Sequence, residues 1–380
     1  MRSTFLPFSK PSIGEDEIDA VAEILRSGWI TTGPKAAEFE EAFRGYCDAE
    51  DAVALCSATA GMHLLLSTLG IGPGDEVILP SLTFVATANA VRYCGAKVVF
   101  ADIIGAQDLT IDPYSIEALI TPRTKAIIVM HYGGYPCHIP AIMALAEKHG
   151  LAVIEDAAHS PGASLNGKGL GSWGAIGCFS FFSNKNLSTG EGGMLTTDDD
   201  KLAEQLRLMR SHGMTTLTYD RHQGHAFSYD VVALGYNYRM DEIHSALGLV
   251  QLEKLAENNR LRAERTRQYW QLLAGSPLGL PFRARDGEDG VASAYHIFPV
   301  LLPEGTDRQA FMTHLRDAGI QSSIHYPPIH TFTDFATDKN PLPLPNTEVL
   351  AAREVTLPLY PGMGAEAVSL VAEACLQAVA

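Results

Sequence analysis

The chain has 380 residues and a formal charge of −16, from 28 Lys plus Arg against 44 Asp plus Glu. With 46% hydrophobic and 19% charged residues it has the composition of a folded globular protein, not a disordered one. The acidic balance excludes a general nucleic-acid binder, which needs clustered Lys and Arg, but not a small anion held in a local pocket. No run of 18 apolar residues is present to span a membrane, and Met1 to Glu17 lacks the apolar core of a signal peptide. Six cysteines, none with C-x-x-C spacing, support neither a zinc ribbon nor a disulfide scaffold. A soluble protein of a reducing, cytoplasmic setting is expected.

Ile18, Val21, Ala22, Ile24 and Leu25 recur at helical spacing behind a cluster of acids, and Gly28 follows, so a first helix ends there. A loop at 29–34 leads to a second helix over 35–46. From Asp51 on, short apolar runs at 52–55, 77–79, 98–100, 126–130 and 151–154 alternate with helical stretches at 60–69, 85–93 and 141–149. Buried apolar strands alternating with helices predict βαβ units and a mostly parallel sheet. Two further strands, 176–182 and 194–197, follow with only a loop between them, so that part of the sheet is expected to be less regular. A long helical pattern over 240–273 bridges to a smaller C-terminal unit. There a helix over 307–318 has Thr306 and Gln309 at capping-box spacing and Gly319 past its end. The Pro-rich stretch 326–345 reads as a loop. The expected domains are an N-terminal helix (1–28) packed on the small domain, a large cofactor domain (29–255) and a small C-terminal domain (256–380).

Some stretches resemble sites without supporting one. Gly169-Leu-Gly171-Ser-Trp-Gly174 matches G-x-G-x-x-G, but a polar stretch precedes it and an apolar β-like run follows, so it reads as a glycine-rich turn. Residues 162–168 fit the first seven Walker A positions, yet Gly169 stands where the magnesium-binding hydroxyl belongs. His222 and His225 have only Asp220 and Asp230 near them, and His325 and His330 have no neighbouring carboxylate or thiol, so no metal is expected.

Chemistry concentrates at strand ends, where α/β sheets form their sites. The apolar strand at 151–154 terminates in Glu155-Asp156, and buried acids need partners. Ser160-Pro161-Gly162 disfavours a following helix for Asp156 to cap. The strand at 176–182 delivers Lys185 beside small and glycine-rich backbone, a setting for a Schiff-base nucleophile of lowered pKa. Ser57-Ala58-Thr59 joins a strand to a helix start, where exposed N–H groups and the Ser57 and Thr59 hydroxyls make a phosphate cradle. Phe84 follows another strand and offers a ring for stacking.

In this order the features resemble pyridoxal-phosphate aminotransferases, and more narrowly the DegT-type sugar-nucleotide aminotransferases. The resemblance runs nearly the whole length, through 27–34, 71–77, 84–88, 120–126, 155–158, 180–193 and Gly235-Tyr-Asn-Tyr-Arg239. It implies an α/β fold of type I: a large domain with a mixed, mainly parallel seven-stranded sheet flanked by helices, plus a smaller α/β domain. It implies pyridoxal 5′-phosphate as cofactor, with Lys185 as its Schiff-base partner and proton shuttle and Asp156 as partner of the pyridine nitrogen. Phe84 matches the stacking ring, and Ala58, Thr59 and Ser180 match the phosphate donors. His159 stands near the ring hydroxyl, where many relatives have Gln. Asn237 matches a residue lent by the other subunit, which implies a homodimer with shared sites, and Thr31, Arg239, His325 and Tyr326 match substrate positions. The implied reaction is ping-pong transfer from an amino donor, glutamate, to a nucleotide-linked keto sugar, a 4-keto-6-deoxyhexose or 4-keto-pentose. Lys185 argues against the sugar 3-dehydratases of this fold, in which His replaces it. Cyclitol or other keto-substrate aminotransferases, and a non-catalytic regulator of the same fold, stay open.

Overall fold

The computed structural model describes residues 5–216, 228–336 and 340–379; His222 and His225 lie outside them. Seven strands make the central sheet: β1 Asp51–Leu55, β2 Glu76–Pro80, β3 Lys97–Ala101, β4 Thr124–Met130, β5 Ala152–Asp156, β6 Ile176–Ser180 and β7 Gly193–Thr197. They lie in the order β1-β7-β6-β5-β4-β2-β3. The neighbours from β6 through to β3 are parallel, whereas β7 runs antiparallel to both β6 and β1. A loop rather than a crossover helix joins β6 to β7, and a loop can return the chain only antiparallel. The fold is thus the mixed, mainly parallel seven-stranded sheet that the resemblance implies, its parallel part following the alternating pattern.

The helices are α1 Glu15–Ser27, α2 Pro34–Cys47, α3 Ala58–Thr68, α4 Val85–Tyr93, α5 Pro113–Leu119, α6 Ile139–His149, α7 Asp200–Met209, α8 Glu242–Leu272, α9 Arg308–Asp317, α10 Pro345–Arg353 and α11 Ala365–Ala378. Alternate strand residues face opposite sides of the sheet. Val77, Leu79, Ile128 and Ile154 therefore pack with Leu64, Leu65, Val91 and Leu206 of α3, α4 and α7. Ile78, Ile127, Val129 and Val153 pack on the other side with Ile116 and Ile142 of α5 and α6. Covering both faces is what requires the strands to be apolar throughout.

A second core gathers Tyr269 and Trp270 of α8 with Leu315, Val371 and the antiparallel pair β8 Phe298–Leu301 and β9 Glu354–Leu357. The extended segment before α1 joins this smaller unit, with Leu6 N–H donating to Gly319 O at 2.9 Å and Leu359 N–H to Phe8 O at 3.0 Å. Helix α1 itself lies against the first half of α8, where Gln251 and Lys254 hold Glu17. Helix α9 starts one residue later than the Thr306 capping box predicts. Asp307 is the N-cap, its carboxylate accepting from Gln309 N–H at 2.8 Å and Ala310 N–H at 3.1 Å, which leaves Thr306 one position too early to cap. Among the described residues no helix is long and apolar enough to cross a membrane.

The G-x-G-x-x-G stretch serves a carboxylate inside the fold. Glu155 is fully buried and accepts from the N–H groups of Gly171 (2.8 Å), Trp173 (2.7 Å) and Gly174 (2.8 Å). Its fourth donor is His131. The Nδ1 of that ring accepts from Cys137 N–H, so Nε2 carries the proton and donates to Glu155 at 2.9 Å. Gly171 has φ +92°, and a Cβ there would stand 2.4 Å from the Phe179 ring, so only glycine permits this turn. The Walker-like stretch beside it forms a minimal hairpin, Ser164–Leu165 with Lys168–Gly169. Glu155→Ala strands these four donors and should destabilise the protein by about 3–5 kcal/mol in urea unfolding. A loss under about 1 kcal/mol would show that water replaces the carboxylate without penalty.

Candidate active site

Strand register brings distant segments together at one edge of the sheet. Asp156 pairs with Cys178 and Met130, Ser180 with Gly193, and Gly193 in turn with Leu55. The turn at Ser57–Thr59, the end of β5 and the end of β6 therefore converge. Ser57 is the N-cap of α3, in extended backbone, and its Oγ accepts from Ala60 N–H at 3.1 Å. That hydroxyl caps the helix as an acceptor. The N–H groups of Ala58 and Thr59 have no partner among the described residues, and a helix start of this kind binds phosphate. A Cβ on Gly193 would stand 2.5 Å from the Ala58 nitrogen, so glycine lets β7 and Ser180 approach the turn.

Asp156 is buried and forms no ion pair among the described residues. Thr87 Oγ1 donates to its Oδ2 at 2.7 Å and Ala158 N–H to its Oδ1 at 3.2 Å. Desolvation pushes the carboxyl above the ordinary range, with Thr87, Ala158 and the nearby Lys185 ammonium pulling it back. A buried carboxylate with two hydrogen bonds and no salt bridge is suited to a cationic ring nitrogen. Sequence reasoning did not single out Thr87. The signal was present, because Phe84 and Thr87 are three apart at the start of α4 and share a face.

Lys185 is half-buried, and desolvation of its amine pushes its pKa down to about 8, while Asp156 acts in the opposite direction. A useful fraction is therefore neutral and nucleophilic near neutral pH. Its position is pinned through the next residue. Asn186 Nδ2 donates to Asn259 Oδ1 and Ala294 O, both at 2.7 Å, and its Oδ1 accepts from His296 Nδ1 at 2.8 Å.

His159 is buried, and desolvation holds it neutral. Its Nδ1 accepts from Gly133 N–H, so Nε2 carries the proton and donates to the Tyr326 hydroxyl at 2.8 Å. It thus reaches the cleft through Tyr326, whose ring lies 5.9 Å from that of Phe84. Phe84 is 56% exposed, an unusual state for a Phe and a fitting one for a stacking face. His325 is buried beside Tyr326, and its carbonyl accepts from the Tyr132 hydroxyl.

The remaining sequence candidates, Thr31, Asn237 and Arg239, have no side-chain hydrogen bond to this group among the described residues. Thr31 and Asn237 are exposed and form no hydrogen bond to Lys185, Asp156 or the Ser57–Thr59 turn among the described residues. Arg239 bridges Leu55 through its backbone and donates to Ser211 Oγ at 3.1 Å. No group of three or more His, Cys, Asp or Glu side chains among the described residues is placed to hold a metal. The uncompensated Asp156, the unpaired Ala58 and Thr59 amides, the exposed Phe84 ring and the Lys185 amine fit pyridoxal phosphate: cation partner, phosphate donors, ring face and nucleophile.

The model of the DegT/DnrJ/EryC1/StrS aminotransferase family matches residues 11–376. Among solved structures, a Streptococcus pneumoniae protein in its PMP form is 31% identical with a TM-score of 0.92, covering 98% of this chain and 99% of its own. The same protein has been solved in a PLP form. Helicobacter pylori PseC, an aminotransferase involved in the biosynthesis of pseudoaminic acid, is 30% identical with a TM-score of 0.92 and 99% coverage of both chains. DesV of S. venezuelae, solved in complex with a ketimine intermediate, is 33% identical with a TM-score of 0.89, covering 99% of this chain and 98% of its own.

Thr87→Val removes a donor from a buried carboxylate and should cost the apoprotein about 1.5–3 kcal/mol at neutral pH. Because the folded Asp156 pKa is raised, its ionised form opposes folding; that penalty is absent below the unfolded carboxyl range and grows as pH rises through it. The Thr87→Val loss should therefore shrink as pH falls toward about 4. Urea unfolding at both pH values checks this, and equal losses would assign the hydroxyl to packing alone.

Proposed function

As the chain belongs to the DegT/DnrJ/EryC1/StrS aminotransferase family, we propose that it transfers an amino group from glutamate to a nucleotide-linked keto sugar by a ping-pong mechanism. The chain is a pyridoxal-phosphate-dependent transaminase. The observation that carries the assignment is the pairing of a lysine of lowered pKa with a buried carboxylate lacking a counter-ion, at neighbouring strand ends. Bound there, the cofactor supplies a carbonyl for capture of the amine and a ring that withdraws electrons. Lys185 is the nucleophile and then the base and acid that carries a proton at the donor Cα. Asp156, steadied by Thr87, keeps a proton on the ring nitrogen. The Ala58 and Thr59 amides and the Ser180 hydroxyl hold the phosphate, Phe84 covers one ring face, and His159 positions Tyr326.

The acceptor is read as a 4-keto-6-deoxyhexose or 4-keto-pentose on a nucleotide, with Thr31, Arg239, His325 and Tyr326 as its contacts. The likeness to PseC supports a sugar acceptor. A homodimer with shared sites is supported by Asn237, exposed beside Val231, Val232 and the 81% exposed Leu234, an apolar stripe that a second copy would bury. The large domain is taken as 29–255 and the small one as 256–380, with the N-terminal segment added to the latter. The six free thiols support a cytoplasmic setting.

Purified protein should be yellow and should bleach on adding glutamate, while Lys185→Ala shows neither the bleaching nor turnover. Mass spectrometry of a nucleotide keto-sugar panel should then show an amine in place of one ketone. A colourless preparation that takes up no pyridoxal phosphate would sink the assignment. For the dimer, light scattering should give about twice 41.0 kDa. Lys185→Ala and Asn237→Asp chains, each inactive alone, should regain activity when co-expressed; two inactive variants that fail to complement would place both residues in one subunit's site.

A further inference from the structure

Glu354 is 1% exposed, forms no ion pair among the described residues and takes no part in the chemistry above. Residues two apart in a strand share a face. Glu354 and Thr356 of β9 accordingly turn toward the segment carrying His325, while Val355 and Leu357 enter the small-unit core. Three contacts link the polar groups. His325 N–H donates to Glu354 Oε2 at 2.8 Å, Thr356 Oγ1 donates to Glu354 Oε1 at 2.5 Å, and His325 Nδ1 meets Thr356 Oγ1 at 2.9 Å. While the carboxyl is ionised, a hydroxyl that donates to it must accept from the ring, so Nδ1 then carries the proton. Nε2 is then a bare acceptor, with no protein partner among the described residues.

We propose that Glu354, Thr356 and His325 form a proton relay through which the active-site cleft charges and discharges a buried carboxyl. A proton from solvent in the cleft binds His325 Nε2. The Nδ1 proton passes to Thr356 Oγ1, and the Thr356 proton passes to Glu354 Oε1. No heavy atom moves, the carboxyl is neutralised, and Nε2 changes from hydrogen-bond acceptor to donor. The reverse transfer returns the proton to the cleft.

The surroundings fix the direction. Burial pushes His325 down to about 3, aided by the Lys185 ammonium, so the ring passes its proton on. Burial pushes Glu354 up to about 8 against its Thr356 and His325 hydrogen bonds and the Arg308 guanidinium, so the carboxyl keeps the proton below that value. Arg308 of α9 donates to the Glu354 carbonyl at 3.3 Å, and the Tyr132 and Tyr326 phenols are raised by burial, Tyr326 further by Asp156 and both by Glu354. His159 and His296 are neutral neighbours of the His325 ring.

The test is ¹⁵N-histidine NMR of the holoenzyme between about pH 6 and about pH 10, a range in which burial keeps the His325 ring neutral, with His325→Gln used to assign the resonances. Wild type should carry the ring proton on Nε2 at the low end and on Nδ1 at the high end, with the changeover near 8. Thr356→Val should abolish the changeover and Thr356→Ser restore it. Glu354→Gln should hold Nε2–H throughout, which keeps the test decisive if Thr356→Val fails to fold. One unchanging His325 tautomer in wild type, or a changeover that survives in Thr356→Val, overturns the relay. Neither result depends on which sugar the enzyme uses, so the relay and the proposed function stand or fall separately.

Discussion

A carboxylate held in the interior without a counter-ion is the constraint on which the rest of this site depends. Asp156 and its neighbour Glu155 end the same strand, yet they meet opposite fates because adjacent strand residues face opposite ways. Glu155 is saturated by four donors and works as structure. Asp156 receives two and is left needing positive charge. Lys185 is set against it from the next strand end, itself desolvated so that its amine sits near 8. Burial disfavours the charged form of each group, which brings a neutral amine within reach near neutral pH.

The anionic parts of the ligands are met differently. A chain of charge −16 has little positive surface to spare, and the proposed phosphate position relies on backbone. The unpaired amides at the start of α3 supply directed partial charge without adding an ionised side chain. Glycine at 193 matters as much as any donor, because it lets β7 come close enough to bring Ser180 beside those amides. Net charge speaks against a polyanion-binding surface without limiting what a local pocket can bind.

Much of this was legible in the sequence, for identifiable reasons. Apolar runs such as 126–130 announce strands buried on both faces, and Asp156 and Lys185 stand out because charged residues seldom close such runs. What stayed hidden depends on pairings between distant segments. The role of Gly169–Gly174 needs Glu155 folded against it, and Thr87 gains meaning only once α4 is seen to face β5. Thr306 was displaced as a cap by Asp307, a competition between adjacent good caps that spacing alone does not decide. The polar line from Glu354 to His325 joins residues 29 apart in sequence and has no local signature at all.

Helix α8, 31 residues long, belongs to both halves of the molecule. Its first half holds Glu17 of α1 through Gln251 and Lys254, and its second half is fastened to the smaller unit by Arg262, which donates to His296 O and Leu359 O. Between these ends, Asn259 grips Asn186, the residue after Lys185. A continuous α-helix is a stiff beam of about 1.5 Å per residue, and bending it would break its backbone ladder. The two halves are therefore mechanically geared to each other and to Lys185, so that a shift of either half is felt at that side chain.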